Sequence, residues 1–160
     1  MSSARPLRSF AVALIAAIPL AALTGAPPLR VAALGRTALA DTLAARFARC
    51  VGSHRQTCVV DGDTIWLAGD KIRLADINAP ETHMAGCDYE QALGERATDR
   101  LVVLLNEGPF SVTRGDPRRD RDRYGRLLRV VSRDGRSLGA ELEAEGLAEH
   151  WHGHRRDWCS

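Results

Sequence analysis

A chain of 160 residues has room for one folded domain. Its 22 basic and 20 acidic side chains nearly cancel, and residues 1–40 hold four of the basic ones (Arg5, Arg8, Arg30, Arg36) and no acid. Residues 41–160 are left with 18 basic against 20 acidic groups, which excludes a global basic footprint and requires any anion-binding field to be local.

The first predicted element is a secretory signal. Arg5 and Arg8 precede an apolar run from Phe10 to Leu23, and Ala38-Leu39-Ala40 offers a small-residue cleavage site before Asp41. Residues 1–40 are therefore expected to direct export to the periplasm or the exterior. The run is shorter than the roughly 20 apolar residues of a membrane span. Membrane attachment is expected only if the segment stays uncleaved, a reading to which Val31 to Leu34 contributes. Four cysteines behind such a signal, Cys50, Cys58, Cys87 and Cys159, read as two disulfides. Of the three pairings, Cys50 with Cys58 would close a short loop, and Cys87 with Cys159 would tether the chain end. A zinc site competes with this reading but finds no C-x-x-C or H-E-x-x-H spacing.

Residues 41–56 form a lead-in without a clean period. Thr57-Cys58-Val59-Val60 is a short strand stopped by Asp61-Gly62-Asp63, and Thr64 to Ala68 resumes as a second, turned by Gly69-Asp70. The third, Lys71 to Ile77, alternates, with Ile72, Leu74 and Asp76 on one face and Arg73, Ala75 and Ile77 on the other. Asn78-Ala79-Pro80-Glu81 breaks it. A helix is predicted from near Tyr89 to Asn106 with Ala92, Leu93, Ala97, Leu101, Leu104 and Leu105 on its apolar face. Phe110 to Thr113 is a fourth strand, and Arg126 to Val131 a fifth. Ser137 to Ala148 is a second helix. Three strands, a helix, two strands and a helix predict an α+β protein built on a five-stranded OB-fold barrel, with residues 57–160 as the domain.

Three clusters could carry chemistry: Asp61-Gly62-Asp63-Thr64, Arg73 with Asn78-Ala79-Pro80-Glu81, and Asp122-Arg123-Tyr124-Gly125-Arg126. Each alone has a structural explanation as a turn, a strand stop or a solvated loop. Their positions at strand ends argue for convergence in a barrel. Two carboxylates, an amide and two guanidiniums around one point suit phosphodiester hydrolysis. That reaction needs a base for water, a cation for phosphate oxygens, and positive charge for the transition state. Nine arginines between Arg114 and Arg136 supply the local positive field, and Lys71 is the only lysine.

With these three motifs in order, the chain resembles the staphylococcal nuclease (thermonuclease) family from about Thr57 to His150. The resemblance implies an endonuclease acting on DNA, RNA or both, without an obligate protein partner and as a monomer. It implies Glu81 as general base and Arg73 and Arg126 as catalytic arginines. It implies calcium held by Asp63, the Ala79 carbonyl and residue 78, and Arg123 and Tyr124 as nucleic-acid contacts. Position 78 departs from the family: it holds Asn78 where the family has aspartate, so calcium is expected to bind with one charge fewer, with Asp76 as a candidate substitute. The family's final helix has no counterpart, and His152 and His154 fall near its two base-facing tyrosines but read as surface residues. Two other classes remain in view: a catalytically silent OB-type binding module, which would have no need of Glu81, and a disulfide-held envelope protein.

Overall fold

The computed structural model describes residues 40–53 and 55–160; the expected signal, residues 1–40, lies outside the described residues except for Ala40. In chain order the elements are β1 (Cys58–Asp61), β2 (Thr64–Leu67), β3 (Asp70–Leu74), β4 (Ile77–Asn78), α1 (Asp88–Asn106), β5 (Ser111–Arg114), β6 (Leu127–Arg133), β7 (Arg136–Ser137), α2 (Leu138–Ala144) and β8 (Glu149–His150). The first three strands form an antiparallel meander. Ala68 and Gly69, both at positive φ (50° and 89°), make the two-residue turn whose twist matches a hairpin. The third predicted strand is cut short. β3 ends at Leu74, and β4 leaves the main sheet to pair antiparallel with β8.

The main sheet runs β1-β2-β3-β6-β5, with β7 on β6. β6 joins β3 in parallel, placing Arg73 opposite Leu128 and Ile72 opposite Leu127. The α+β class stands, but the expected closed barrel of five strands does not appear: among the described residues β1 and β5 do not pair with each other. Their outer edges are met by the lead-in instead. Leu43 exchanges backbone hydrogen bonds with Phe110, just before β5, and Cys50 and Ala48 bond to Val59 in β1. Asn106 holds this segment by accepting from the Phe47 amide and donating to its carbonyl, and Phe47 packs on Phe110 with centroids 6.0 Å apart.

The core lies between the sheet and α1, around Val59, Ile65, Leu74, Leu101, Leu105, Phe110 and Val131. Helix α1 buries Leu93, Gly94, Ala97, Thr98, Leu101, Leu104 and Leu105, so its inner face lies a little round from the predicted one and Ala92 is exposed. Helix α2 stops at Ala144, short of the predicted Ala148. Gly146 at φ 70° ends it by letting the Leu147 amide reach back to the Leu142 carbonyl. Its start is capped by Ser137, whose hydroxyl accepts from the amides of Gly139 and Ala140. Both expected disulfides, Cys50–Cys58 and Cys87–Cys159, are formed.

Candidate active site

The parallel pairing of β3 with β6 brings two distant arginines to one end of the sheet. Arg73 is buried, at 7% exposure. Its guanidinium ion-pairs with Asp63 Oδ2 at 3.2 Å, donates to the Leu74 carbonyl at 2.7 Å, and lies 4.8 Å from the Trp151 ring. Asp63 Oδ1 accepts from the Thr64 hydroxyl at 2.8 Å, and that hydroxyl in turn accepts from Arg126 Nη1 at 3.3 Å. Arg126 also donates from Nε to Asp122 Oδ2 at 2.6 Å, while Asp122 Oδ1 accepts from the amides of Tyr124 and Arg126. Burial alone pushes the Asp122 carboxyl up, but these hydrogen bonds and the Arg126 charge hold it below the usual range. One continuous chain of charge-assisted contacts thus runs Arg73, Asp63, Thr64, Arg126, Asp122.

Glu81 is set by close packing behind this chain. Glycines at 62 and 94 let α1 approach. A Cβ at Gly94 would lie 2.7 Å from the Pro80 carbonyl oxygen and 2.8 Å from that of Glu81, and one at Gly62 would lie 2.7 Å from the side chains of Ala79 and Ala97. Glu90 of α1 accepts from the Glu81 and Gly86 amides at 3.3 and 2.7 Å, pinning the loop at both ends. The Glu81 carboxylate pairs with Arg155 at 2.7 Å. Asp61 lies nearby: burial, then the charges of Asp63 and Glu81, push its carboxyl up to about 7.

The Ala79 amide donates to Asp63 Oδ2 at 3.4 Å, so two of the residues expected at the metal adjoin, through the amide of Ala79. Asn78 is buried at 4% exposure and donates its amide to Glu149 Oε1 at 3.1 Å. Asp76, the candidate substitute, is tied to α2 through one carboxylate oxygen, while its Oδ1 is buried without a hydrogen-bond partner. Its Oδ2 accepts from the Ser137 hydroxyl at the start of α2, and its carbonyl accepts from the Trp151 amide. Among the described residues no three carboxylate, imidazole or thiolate groups are placed to hold one ion together. Of the expected ligands only Asp63 is a carboxylate, and it is paired with Arg73; Asn78 and the Ala79 carbonyl would add neutral oxygens, which a hard cation can take.

Beside this acidic region opens a cleft of about 650 Å³ lined by Arg73, Arg119, Arg123, Tyr124, Arg126 and Arg155 among others. Arg123 stacks on Tyr124 with its guanidinium 4.7 Å from the ring, and Tyr124 is 64% exposed. His154 lines the cleft as well, and His152 is exposed. Glu81, Asp63, Asn78 and Ala79 do not line it; Arg73, paired with Asp63, and Arg155, paired with Glu81, join the two regions. Sequence reasoning singled out neither Thr64 nor Asp122 as a link, although both lie inside its motifs. Trp151, Glu149 and Arg155 left no signal, because their place depends on how the last residues fold back.

The profile of the family described as staphylococcal nuclease homologue matches residues 71–157. The chain is 40% identical over 95 residues to the SPbeta prophage-derived endonuclease YokF of Bacillus subtilis, a match covering 56% of this chain and 31% of that protein. It is 38% identical over 95 residues to endonuclease YncB of the same species, covering 56% and 43%. It is 40% identical over 77 residues to the micrococcal nuclease of Shigella flexneri, covering 46% and 38%. The chain thus spans less than half the length of each of these relatives. The profile covers over half of the chain and takes in Arg73, Glu81, Arg126 and the arginine-lined cleft: this protein belongs to the staphylococcal nuclease homologue family.

Proposed function

We propose that the chain is an exported endonuclease that hydrolyses phosphodiester bonds of DNA or RNA. The observation that carries this reading is the pair of preorganised arginines, Arg73 and Arg126, linked through Asp63 and Thr64 beside the loop that holds Glu81. Glu81 takes a proton from water. The oxygen of that water bonds to phosphorus, the bond to the leaving sugar oxygen breaks, and that oxygen collects a proton from solvent. The two guanidiniums meet the charge that grows on the non-bridging oxygens, and their fixed partners reduce the reorganisation required. Arg123 and Tyr124 offer a charge and an exposed ring to the strand entering the cleft.

Asp63, the Ala79 carbonyl and the Asn78 side-chain oxygen would hold calcium, which when bound supplies further positive charge at the phosphate. With Asn78 in place of a carboxylate, weaker retention of the ion is expected. The paired cysteines favour an oxidising compartment, in line with export. The protein is expected to act as a monomer and to touch a membrane only if residues 1–40 stay attached.

The test uses protein isolated from an oxidising compartment and single-stranded DNA and RNA oligonucleotides, with calcium and with chelator. Cleavage is expected only with the metal. Glu81→Gln should lower turnover by about 10²–10⁴-fold while leaving oligonucleotide binding in place. Equal cleavage under chelator, or full turnover in the variant, would sink the reading.

A further inference from the structure

The last ten residues are pinned at both ends. At the near end, the Trp151 amide donates to the Asp76 carbonyl at 2.8 Å, and the Trp151 ring lies against the Arg73 guanidinium. The Arg156 amide donates to Glu149 Oε1 at 3.0 Å. At the far end, Trp158 is buried at 8% exposure within the core, and Cys159 is bonded to Cys87, six positions beyond Glu81. Between these anchors Gly153, His154 and Arg155 line the cleft, and one side chain reaches Glu81. Arg155 Nη1 sits 2.7 Å from Glu81 Oε1, and the Arg155 side chain is 60% exposed.

Resting on the nuclease reading, we propose that Arg155 is a third phosphate-binding guanidinium of the cleft, delivered there by a C-terminal tail that the Cys87–Cys159 disulfide holds in place. A guanidinium has five N–H donors, and the contact with Glu81 leaves most of them free for a phosphate. Its exposure makes the desolvation small. It lines the same cleft as Arg73 and Arg126, so a strand held there brings a phosphate within its reach. In the free protein it neutralises Glu81. A backbone phosphate arriving at Arg155 competes for the guanidinium and releases the carboxylate, so a strand long enough to reach Arg155 frees the base on arrival. Arg155 in this sense couples the arrival of a backbone phosphate to release of the Glu81 carboxylate.

Salt dependence separates a phosphate contact from a merely structural ion pair, because only the former releases counterions on binding. Binding of a fluorescein-labelled oligothymidylate is measured by anisotropy over a series of salt concentrations, with chelator present so that nothing is cut. Arg155→Ala should weaken binding on the order of tenfold at low salt and flatten the slope of log K against log salt by about 0.7. Arg155→Lys should restore the slope, since it restores the charge. The paired variant Cys87→Ser with Cys159→Ser should lose the same slope, and adding Arg155→Ala to it should change nothing more. With calcium, Arg155→Ala should raise KM for the oligothymidylate, since a phosphate contact is lost. An unchanged slope in Arg155→Ala, or a wild-type slope in the serine pair, overturns the proposal. Failure of the unaltered protein to bind the oligonucleotide at any salt would instead overturn the nuclease reading beneath it.

Discussion

Asn78 donates its amide to Glu149 at 3.1 Å in a site only 4% exposed, and this contact decides what a charge at position 78 would do. Replacing the amide by a carboxylate on sequence grounds alone promises a stronger cation site. In the folded chain it would set two carboxylates, at 78 and 149, against each other. Asn78→Asp alone is therefore expected to destabilise the metal-free protein by about 1–3 kcal/mol, the usual cost of breaking a buried polar pair. Adding Glu149→Gln should restore stability and, in calcium titrations, yield tighter binding than the unaltered chain. Thermal melts with and without chelator, and a calcium indicator competition, measure both. Overlaying melts for all three proteins would show that the Asn78–Glu149 contact does not hold position 78.

The placement of Glu81 depends on α1 approaching the loop more closely than any side chain at Gly94 would allow. With a Cβ there 2.7 and 2.8 Å from two carbonyl oxygens, Gly94→Ala must push the helix or the loop outward. A stability loss of about 1–3 kcal/mol is expected from such overpacking. A larger fractional loss of turnover than of oligonucleotide binding should accompany it, because the proposed base, Glu81, moves while Arg73 and Arg126 keep their partners. Loss of binding in equal proportion would mean that the loop does not act alone. Local signals made much of this architecture legible: the D-G-D-T turn, the P-E stop, the strands before Leu74 and the long helix. The β3–β6 pairing was not, since a parallel ladder between residues more than fifty positions apart leaves no local mark. The alternation assigned to Lys71–Ile77 misled for the same reason. With Ile72, Arg73 and Leu74 all buried, both faces are covered and period two carries no information. Gly146 carries a legible helix-stop signal, two residues inside the expected end of the second helix. Arg155 was not readable at all, because its place is fixed by the fold-back of the tail onto Cys87.

Across the whole molecule the two disulfides do different work. Cys50–Cys58 closes a loop of 8 residues and Cys87–Cys159 one of 72. On chain entropy alone the longer closure is worth about 4 kcal/mol and the shorter about 2.5 kcal/mol. Serine pairs made separately and unfolded in denaturant should follow that order, with the larger drop in midpoint for Cys87 and Cys159. The reverse order would indicate that the short bridge, which ties the lead-in to β1, governs cooperative unfolding. The lead-in has a consequence of another kind. A chain shortened to begin near Thr57 would keep Asp63, Arg73, Glu81 and Arg126, yet it would uncover the backbone donors and acceptors of Val59 and Phe110 that residues 43–50 now occupy. Open strand edges recruit other open edges. Such a shortened chain, with Cys58→Ser because its partner Cys50 is gone, is therefore expected to self-associate into sheet-paired aggregates as its concentration rises, which light scattering would register, so the residues that look dispensable for chemistry are those that keep each molecule separate from the next.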